Sequence, residues 1–149
     1  MRVELTTQIP RDPEWVWATV KRSDTLDFIA KPLIVFRPDA GSFPEVWTEG
    51  DYRATMWLIG ILPIGKQTIG IRYPEGDEAR VLRDDGHGTM ISVWDHWIFV
   101  EPASDAEGAT NYIDRVDVKA GWLTPLVAAF ARLFYGHRQK RWQKLARRD

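Results

Sequence analysis

The C-terminal part of the chain, residues 111–148, reads NYIDRVDVKAGWLTPLVAAFARLFYGHRQKRWQKLARR. Two periodicities meet in it. Up to Ala120, polar and apolar residues alternate, which is typical of a strand with one wet face. After Gly121, the pair Thr124 and Pro125 suits the first turn of a helix that we expect to run to about Arg148. A strand followed by one long helix is therefore the pair of elements from which the fold is predicted.

The last strand separates its two faces clearly. One face is predominantly apolar and carries Tyr112, Asp114, Val116, Val118 and Ala120. The other face carries Asn111, Ile113, Arg115, Asp117 and Lys119 and must be the wet side. Asp114 is therefore predicted to point inward. An ionised carboxylate without a partner in an apolar interior would cost several kcal/mol or shift its pKa upward, so Asp114 needs partners.

The long helix carries an apolar stripe at about 100° per residue. The stripe consists of Leu126, Phe130, Leu133, Phe134 and Leu145, and the opposite side carries Arg132, Gln139, Gln143 and Arg147. His137 and Arg141 fall inside the stripe, one turn apart. We expect these two side chains to face inward and to meet Asp114, Tyr112 and, on another strand, His96.

The rest of the chain predicts a sheet with short connections. Alternation predicts a first strand up to Ile9, and Asp12 and Pro13 suit the start of a short helix over Trp15–Val20, followed by a second over Ser23–Phe28. Further strands are predicted at Leu33–Arg37, Asp51–Leu62, Lys66–Tyr73, Ala79–Arg83, Met90–Val100 and Asn111–Ala120. Short connections favour an antiparallel meander. Residues 1–149 are thus expected to form one α+β domain.

This order of elements resembles the START-like or Bet v 1-like superfamily, also called SRPBCC or polyketide cyclase-like proteins. Shared features are the Pro63-Ile64-Gly65 turn, Trp94-Asp95-His96 followed by Gly108 and Asp114, and the aromatic then basic end of the last helix. The resemblance implies a helix-grip fold, in which a curved antiparallel sheet wraps a long C-terminal helix around a hydrophobic pocket. The superfamily includes lipid and sterol carriers, quinone-binding proteins, aromatase/cyclases and oxygenase domains, so the resemblance implies no single reaction.

The strand from Trp94 to Val100 is apolar on both faces, so periodicity does not orient it. Pairing Val100 with Tyr112 would place Ile98 beside Asp114 and turn His96 inward, whereas a slip of one residue would reverse this. Asp95 and His96 are adjacent, so they point to opposite faces and cannot form a catalytic pair.

The inward faces of the other strands complete a predicted pocket. The residues expected to contact a ligand are Tyr52, Met56, Ile69, Ile71, Trp94, His96, Tyr112, Asp114, Phe130, Phe134, His137 and Arg141. Trp57 and Trp97 fall on outer faces, where they could mark a homodimer surface.

Composition excludes several classes of function. A chain of 149 residues with 44% hydrophobic residues can build one core, and its 20 basic and 21 acidic residues give no reason to expect nucleic acid as a partner.

There is no cysteine, and the N-terminus does not read as a secretory signal, which favours a cytoplasmic protein. The longest uncharged runs hold 12 residues, too few for a transmembrane segment. The three histidines lack the local spacing of metal ligands, so no metal or cofactor is expected.

Three hypotheses about function follow. The first is binding of a small hydrophobic molecule, such as a lipid, a quinone or an aromatic polyketide, with an acidic or polar end. The second is a cyclase, dehydratase or hydrolase that uses His96, Asp114 and His137. The third is an interaction module whose interior is filled by its own side chains. His137 and Arg141 could equally form a satisfied structural pair.

Overall fold

The computed structural model describes residues 1–148. Its elements are β1 (Arg2–Ile9), α1 (Pro13–Val20), α2 (Ser23–Ala30), β2 (Ile34–Pro38), β3 (Gly50–Leu58), β4 (Leu62–Arg72), β5 (Val81–Gly88), β6 (Val93–Pro102), β7 (Thr110–Lys119) and α3 (Thr124–Ala146). The strands form one antiparallel sheet in the order β1-β7-β6-β5-β4-β3-β2. The long helix α3 packs chiefly against β1, β7 and α2. The predicted α+β helix-grip architecture, with two short helices after the first strand, is confirmed.

Local sequence signals explain where the first and last helices begin. The Asp12 carboxylate accepts a hydrogen bond from the Trp15 backbone N–H at 2.9 Å, and Pro13 occupies the first turn of α1, as predicted. At the start of α3, the Thr124 hydroxyl donates to the Gly121 carbonyl at 2.7 Å and accepts from the Ala120 N–H at 2.9 Å. These bonds tie the end of β7 to the first turn of α3.

The register between β6 and β7 is the predicted one. Val100 lies opposite Tyr112, and Ile98 lies opposite Asp114. His96 is consequently buried on the inner face. Asp95 points to the outer face, where its carboxylate accepts from Arg83 Nε at 2.8 Å. The two adjacent residues therefore serve different sides of the sheet.

The reversal between β3 and β4 lies earlier than predicted. It falls at residues 59–61, where Ile59 and Gly60 have φ of 55° and 71°, and not at the predicted Pro63–Gly65 turn. Glycine adopts this left-handed conformation without the steric cost of a Cβ. Pro63 is accommodated within β4 because it pairs only with β3, at a position that β5 does not reach.

The predicted inward face of α3 was wrong. Leu126 and Leu133 are 68% and 61% exposed, and His137 and Arg141 turn toward α2. The helix is rotated by about one residue, so its buried positions are Ala128, Ala131, Phe134, Tyr135, Arg138, Gln139, Trp142 and Ala146. Gln139, predicted to face outward, is among them. The reason is that polar side chains of α3 meet a polar group on the sheet, so the inner face of the helix is not its most apolar face.

The core around the end of α3 depends on Trp142. Its side chain is fully buried, and its ring centroid lies 5.0 Å from that of Tyr112 on β7. It belongs to a cluster that also contains Ile9 from β1 and Val16 from α1. Trp142 therefore joins the helix to three other elements.

Replacing Trp142 with alanine should lower the free energy of unfolding by about 3–5 kcal/mol, because the substitution leaves a large cavity among four elements. Urea unfolding monitored by circular dichroism measures this change. Trp122 is 88% exposed, so W122A is the matched control and should change the free energy by less than about 0.5 kcal/mol. Equal effects of the two substitutions would contradict the packing described here.

Candidate functional site

A cavity of about 460 Å³ lies between the sheet and α3. Most of its wall is apolar and comes from α2, the strands β2 to β4, and α3. These apolar residues include Leu26, Ile34, Phe36, Met56, Leu58, Ile64, Ile69, Val127, Phe130 and Phe134. Met90 and Leu126 also border the cavity and are largely exposed, so they mark the side on which it meets solvent. Its volume lies within the usual range of small-molecule sites.

Six of the twelve predicted site residues border this cavity. They are Met56, Ile69, Trp94, His96, Phe130 and Phe134. Ile71 and Tyr112 instead border a smaller space of about 50 Å³, which His96, Asp84 and Arg138 also border. Tyr52 packs against Trp47, with ring centroids 5.1 Å apart, and donates to the Thr48 carbonyl. Asp114 lies behind His96, within hydrogen-bond distance of its ring.

His137 and Arg141 do not meet Asp114, so that prediction was wrong. The His137 Nε2–H donates to the Lys31 carbonyl at 3.0 Å, and Arg141 Nε donates to the Phe28 carbonyl at 3.0 Å. The Arg141 guanidinium also lies 4.0 Å from the centroid of the Phe28 ring. Both side chains therefore attach the end of α2 to α3, which is a structural role.

Asp114 is the centre of a buried polar cluster. It is only 1% exposed, and its carboxylate accepts from His96 Nε2 at 2.7 Å, from Gln139 Nε2 at 3.1 Å and from the Tyr112 hydroxyl at 3.3 Å. Burial alone would raise the pKa of Asp114, but the hydrogen bond from His96 and the charge of Arg138 outweigh burial and hold the pKa below its usual value. Asp114 is therefore a carboxylate.

His96 is a neutral imidazole with a defined tautomer. Its Nε2 must carry the proton, because the Asp114 carboxylate can only accept. Burial lowers the pKa of His96 and outweighs the hydrogen bond to Asp114, which acts in the opposite direction. The lone pair is thus on Nδ1, which has no hydrogen-bond partner among residues 1–148, and the ring borders the cavity.

Arg138 is a buried cation with unused hydrogen-bond donors. It is 5% exposed, and its one side-chain hydrogen bond to a described residue is a long contact of 3.5 Å from Nη2 to the Tyr112 hydroxyl. Its Nε has no partner within the described part of the chain. The guanidinium lies 4.9 Å from the Tyr135 ring centroid and borders the cavity. Burial alone would lower its pKa, but Tyr112 and Asp114 outweigh burial and raise it, so the charge is retained.

Asp84 faces the same space from β5. It lies opposite His96 in the sheet, borders the cavity, and accepts from the Gly70 N–H at 2.7 Å. Burial raises the pKa of Asp84 to about 7, despite the Gly70 hydrogen bond and the charge of Arg138. Near neutral pH its carboxyl group is therefore divided between the protonated and ionised forms.

The Gln67 amide is a further polar group at the cavity wall. It crosses the backbone of β5, where a Cβ at Gly88 would lie 2.5 Å from Gln67 Oε1. A glycine at position 88 thus makes room for the amide. Among the described residues no group of three or more histidine, aspartate and glutamate side chains is placed to hold a metal ion.

Sequence reasoning missed Asp84, Arg138 and Gln139. Asp84 was assigned to a turn, although it lies two residues after the buried Leu82, and that spacing would have placed it on the inner face. Arg138 and Gln139 were missed because they interrupt the apolar periodicity of α3. No apolar pattern could have indicated them.

The model of a family described as a domain of unknown function, DUF8410, matches residues 7–147. The chain belongs to the DUF8410 family. No curated protein matches the chain in sequence. The family description assigns no activity.

Solved structures place this DUF8410 protein among START/Bet v 1-like folds. A START superfamily protein from Mycobacterium smegmatis is 17% identical with a TM-score of 0.67, covering 97% of this chain and 96% of the other. Ara h 8.0201 is 16% identical with a TM-score of 0.67, covering 98% and 97%. Protein CV1439 from Chromobacterium violaceum is 13% identical with a TM-score of 0.72, covering 99% and 98%. The resemblance predicted from the sequence is confirmed for the fold.

Within residues 1–148, no helix is both long and apolar enough to cross a membrane.

The pKa of Asp84 makes a testable contribution to stability. Between its ordinary value of 3.8 and about 7, the folded state holds a proton on Asp84 that the unfolded state has lost. Asp84 therefore makes stability fall as the pH rises through this window. In D84N this contribution is absent, so the stability of D84N relative to the wild type should increase from pH 5 to pH 8.

Urea midpoints of the wild type and D84N at the two pH values measure this difference. The exposed neighbour Asp85 provides the control variant D85N, whose difference from the wild type should stay nearly constant. If D84N and the wild type changed in parallel between pH 5 and pH 8, Asp84 would not hold a proton in the folded state.

Proposed function

We propose that this protein binds a small hydrophobic molecule whose acidic end group is held by Arg138. The observation that carries the proposal is a buried guanidinium at the wall of a largely apolar cavity, whose one side-chain hydrogen bond to a described residue is a long contact of 3.5 Å. Apolar sites with few polar groups bind the body of a ligand by burial and fix its orientation through those groups. The sequence predicted an acidic or polar end and included Arg141 among the ligand contacts, but Arg141 faces α2, so the anchor proposed here is Arg138.

The charge balance of the cluster supports an anionic end group. Asp114 offsets the charge of Arg138 but forms no direct ion pair with it, and its oxygens accept from His96, Gln139 and Tyr112 instead. Arg138 consequently keeps donors in a poorly solvated place, where an unsatisfied charged donor is costly. A ligand carboxylate could accept two hydrogen bonds from a guanidinium, which is the strongest pairing available to it.

The apolar wall supports a hydrophobic body. Burial contributes about 25 cal/mol per Å² of apolar surface, so an alkyl chain or a fused aromatic ring in the cavity would gain several kcal/mol. A fatty acid, an aromatic acid and a polyketide-like acid share this combination of apolar body and acidic end. A cavity of about 460 Å³ also argues against an interior filled entirely by the protein's own side chains.

Two fluorescent probes with the same ring system distinguish the roles of wall and anchor. Anilinonaphthalene sulfonate carries an anionic group, and phenylnaphthylamine carries none. Both should bind the wild type. Arg138→Gln should weaken binding of the sulfonate about 10-fold or more, because a hydrogen bond to a charged group contributes about 1.5–3 kcal/mol. Binding of the neutral probe should change by less than about 3-fold, since the wall is intact.

Arg141→Gln is the matched control, because it removes an arginine of the same helix that faces α2. It should leave the affinity of both probes unchanged. Equal losses for the anionic and neutral probes in R138Q, with a native circular dichroism spectrum, would contradict an anchoring role. Failure of the wild type to bind either probe would contradict the binding function itself.

A further inference from the structure

We propose that His96 is a general base that removes a proton from a molecule bound in the cavity, so that the protein is an enzyme for cofactor-independent proton transfer. This inference rests on the proposed binding function, because the substrate must occupy the same cavity. It goes further, since a carrier needs no base. Three features carry it: the orientation of His96, the group behind it, and the groups that face it.

The orientation of His96 leaves a basic nitrogen available. Its Nε2–H is engaged by Asp114 at 2.7 Å, and its Nδ1 has no partner among the described residues. The ring is held between the sheet and Tyr135, with ring centroids 4.5 Å apart. The His96 ring borders the cavity, and as a neutral imidazole it keeps a basic nitrogen that no described residue occupies.

Asp114 is suited to support this base. When Nδ1 takes a proton, the ring becomes an imidazolium, and the buried carboxylate behind it stabilises the new charge. Gln139 and Tyr112 fix the carboxylate in place through their hydrogen bonds. His137, which the sequence suggested as a second catalytic histidine, bonds to Lys31 instead and takes no part.

Arg138 and Asp84 face the cavity beside His96 and complete the site. The Arg138 guanidinium has five N–H donors, so it can hold the acidic end group and also donate to a nearby oxygen that becomes negative. Asp84 lies directly opposite His96 in the neighbouring strand, so their Cβ atoms are expected about 5 Å apart. Near neutral pH part of the Asp84 population carries a proton that it can donate to a leaving oxygen.

The reaction class that fits these groups is enolisation next to a carbonyl. The C–H bond breaks, its proton moves to His96 Nδ1, and its electron pair moves onto the carbonyl oxygen beside Arg138. In a β-hydroxy carbonyl compound, the enolate then expels the hydroxyl group, which takes the Asp84 proton and leaves as water. The proton on His96 then transfers to Asp84, so that both side chains return to their starting protonation states. The step consumes no oxidant or reductant, and it is a dehydration.

The elimination of nitrobenzisoxazole tests the base without knowledge of the natural substrate. In this reaction a base removes the ring C–H proton, the N–O bond breaks, and a coloured cyano-nitrophenolate forms. The wild type should accelerate the reaction over buffer. His96→Gln should reduce the acceleration about 100-fold, because a positioned base contributes roughly 10²–10⁴-fold. Its amide can still donate to Asp114, so the variant is designed to fold.

The pH dependence of the rate and the control variants show whether His96 or Asp84 is the base. With His96 as the base, the rate should already be level above pH 7, because burial lowers the pKa of His96 below 6.5. H137Q should retain full activity. If H96Q retained activity while D84N lost it, or if the rate rose through pH 7, Asp84 would be the base and the proposal would be overturned.

Binding of the probe must be measured alongside its turnover. Quenching of tryptophan fluorescence in the wild type and in H96Q reports whether nitrobenzisoxazole enters the cavity, where Trp94 forms part of the wall. Binding without acceleration in the wild type would overturn the catalytic proposal and leave the binding function standing. Acceleration that disappears in H96Q with unchanged binding would support a base at His96.

Discussion

The Asp114 carboxylate is the group on which the arrangement of the interior depends. A buried carboxylate must be paired, because an unpaired one costs several kcal/mol. Its partners come from three elements: His96 from β6, Tyr112 from β7 itself, and Gln139 from α3. Gln139 also donates to the Leu5 carbonyl of β1 at 2.9 Å. These bonds fix how α3 is rotated against the sheet, and that rotation carries Arg138 to the cavity wall.

Arg138 links the stability of the fold to its proposed function. Its charge offsets that of Asp114 without a direct ion pair, so removing it would leave the buried carboxylate without a compensating charge, which is destabilising. The fold therefore holds a guanidinium in a place where it cannot be fully solvated. The same side chain makes only one long hydrogen bond to the described residues and borders an apolar cavity. Arg138 thus offsets a buried charge and is also available to a ligand. His96 likewise has two roles, because it pairs with Asp114 and borders the cavity.

The sequence predicts the sheet well and the inner face of the helix poorly. The charged outer face of β7 made its alternation unambiguous, so Asp114 was placed inward and the register brought His96 beside it. The inward face of α3 was predicted wrongly because Leu126 is apolar yet lies at the exposed rim of the cavity, while Arg138 and Gln139 are polar yet buried. Around a polar cluster next to an apolar cavity, hydrophobic periodicity no longer reports burial. The partners of the buried Asp114 carboxylate can be identified only once the positions of the strands in the sheet are known.

Whether this guanidinium receives the acidic end of an apolar ligand can be observed at the Arg138 side chain itself. The Nε–H signals of arginine can be followed by nitrogen-15 NMR during addition of decanoate, with the Arg138 signal assigned by its absence in R138K. The Arg138 Nε–H signal should shift strongly, because the guanidinium gains a charged acceptor, whereas the Arg141 signal should show no comparable shift. If the Arg138 signal did not change while methyl groups of the cavity wall responded to bound decanoate, Arg138 would not hold the acidic end of the ligand.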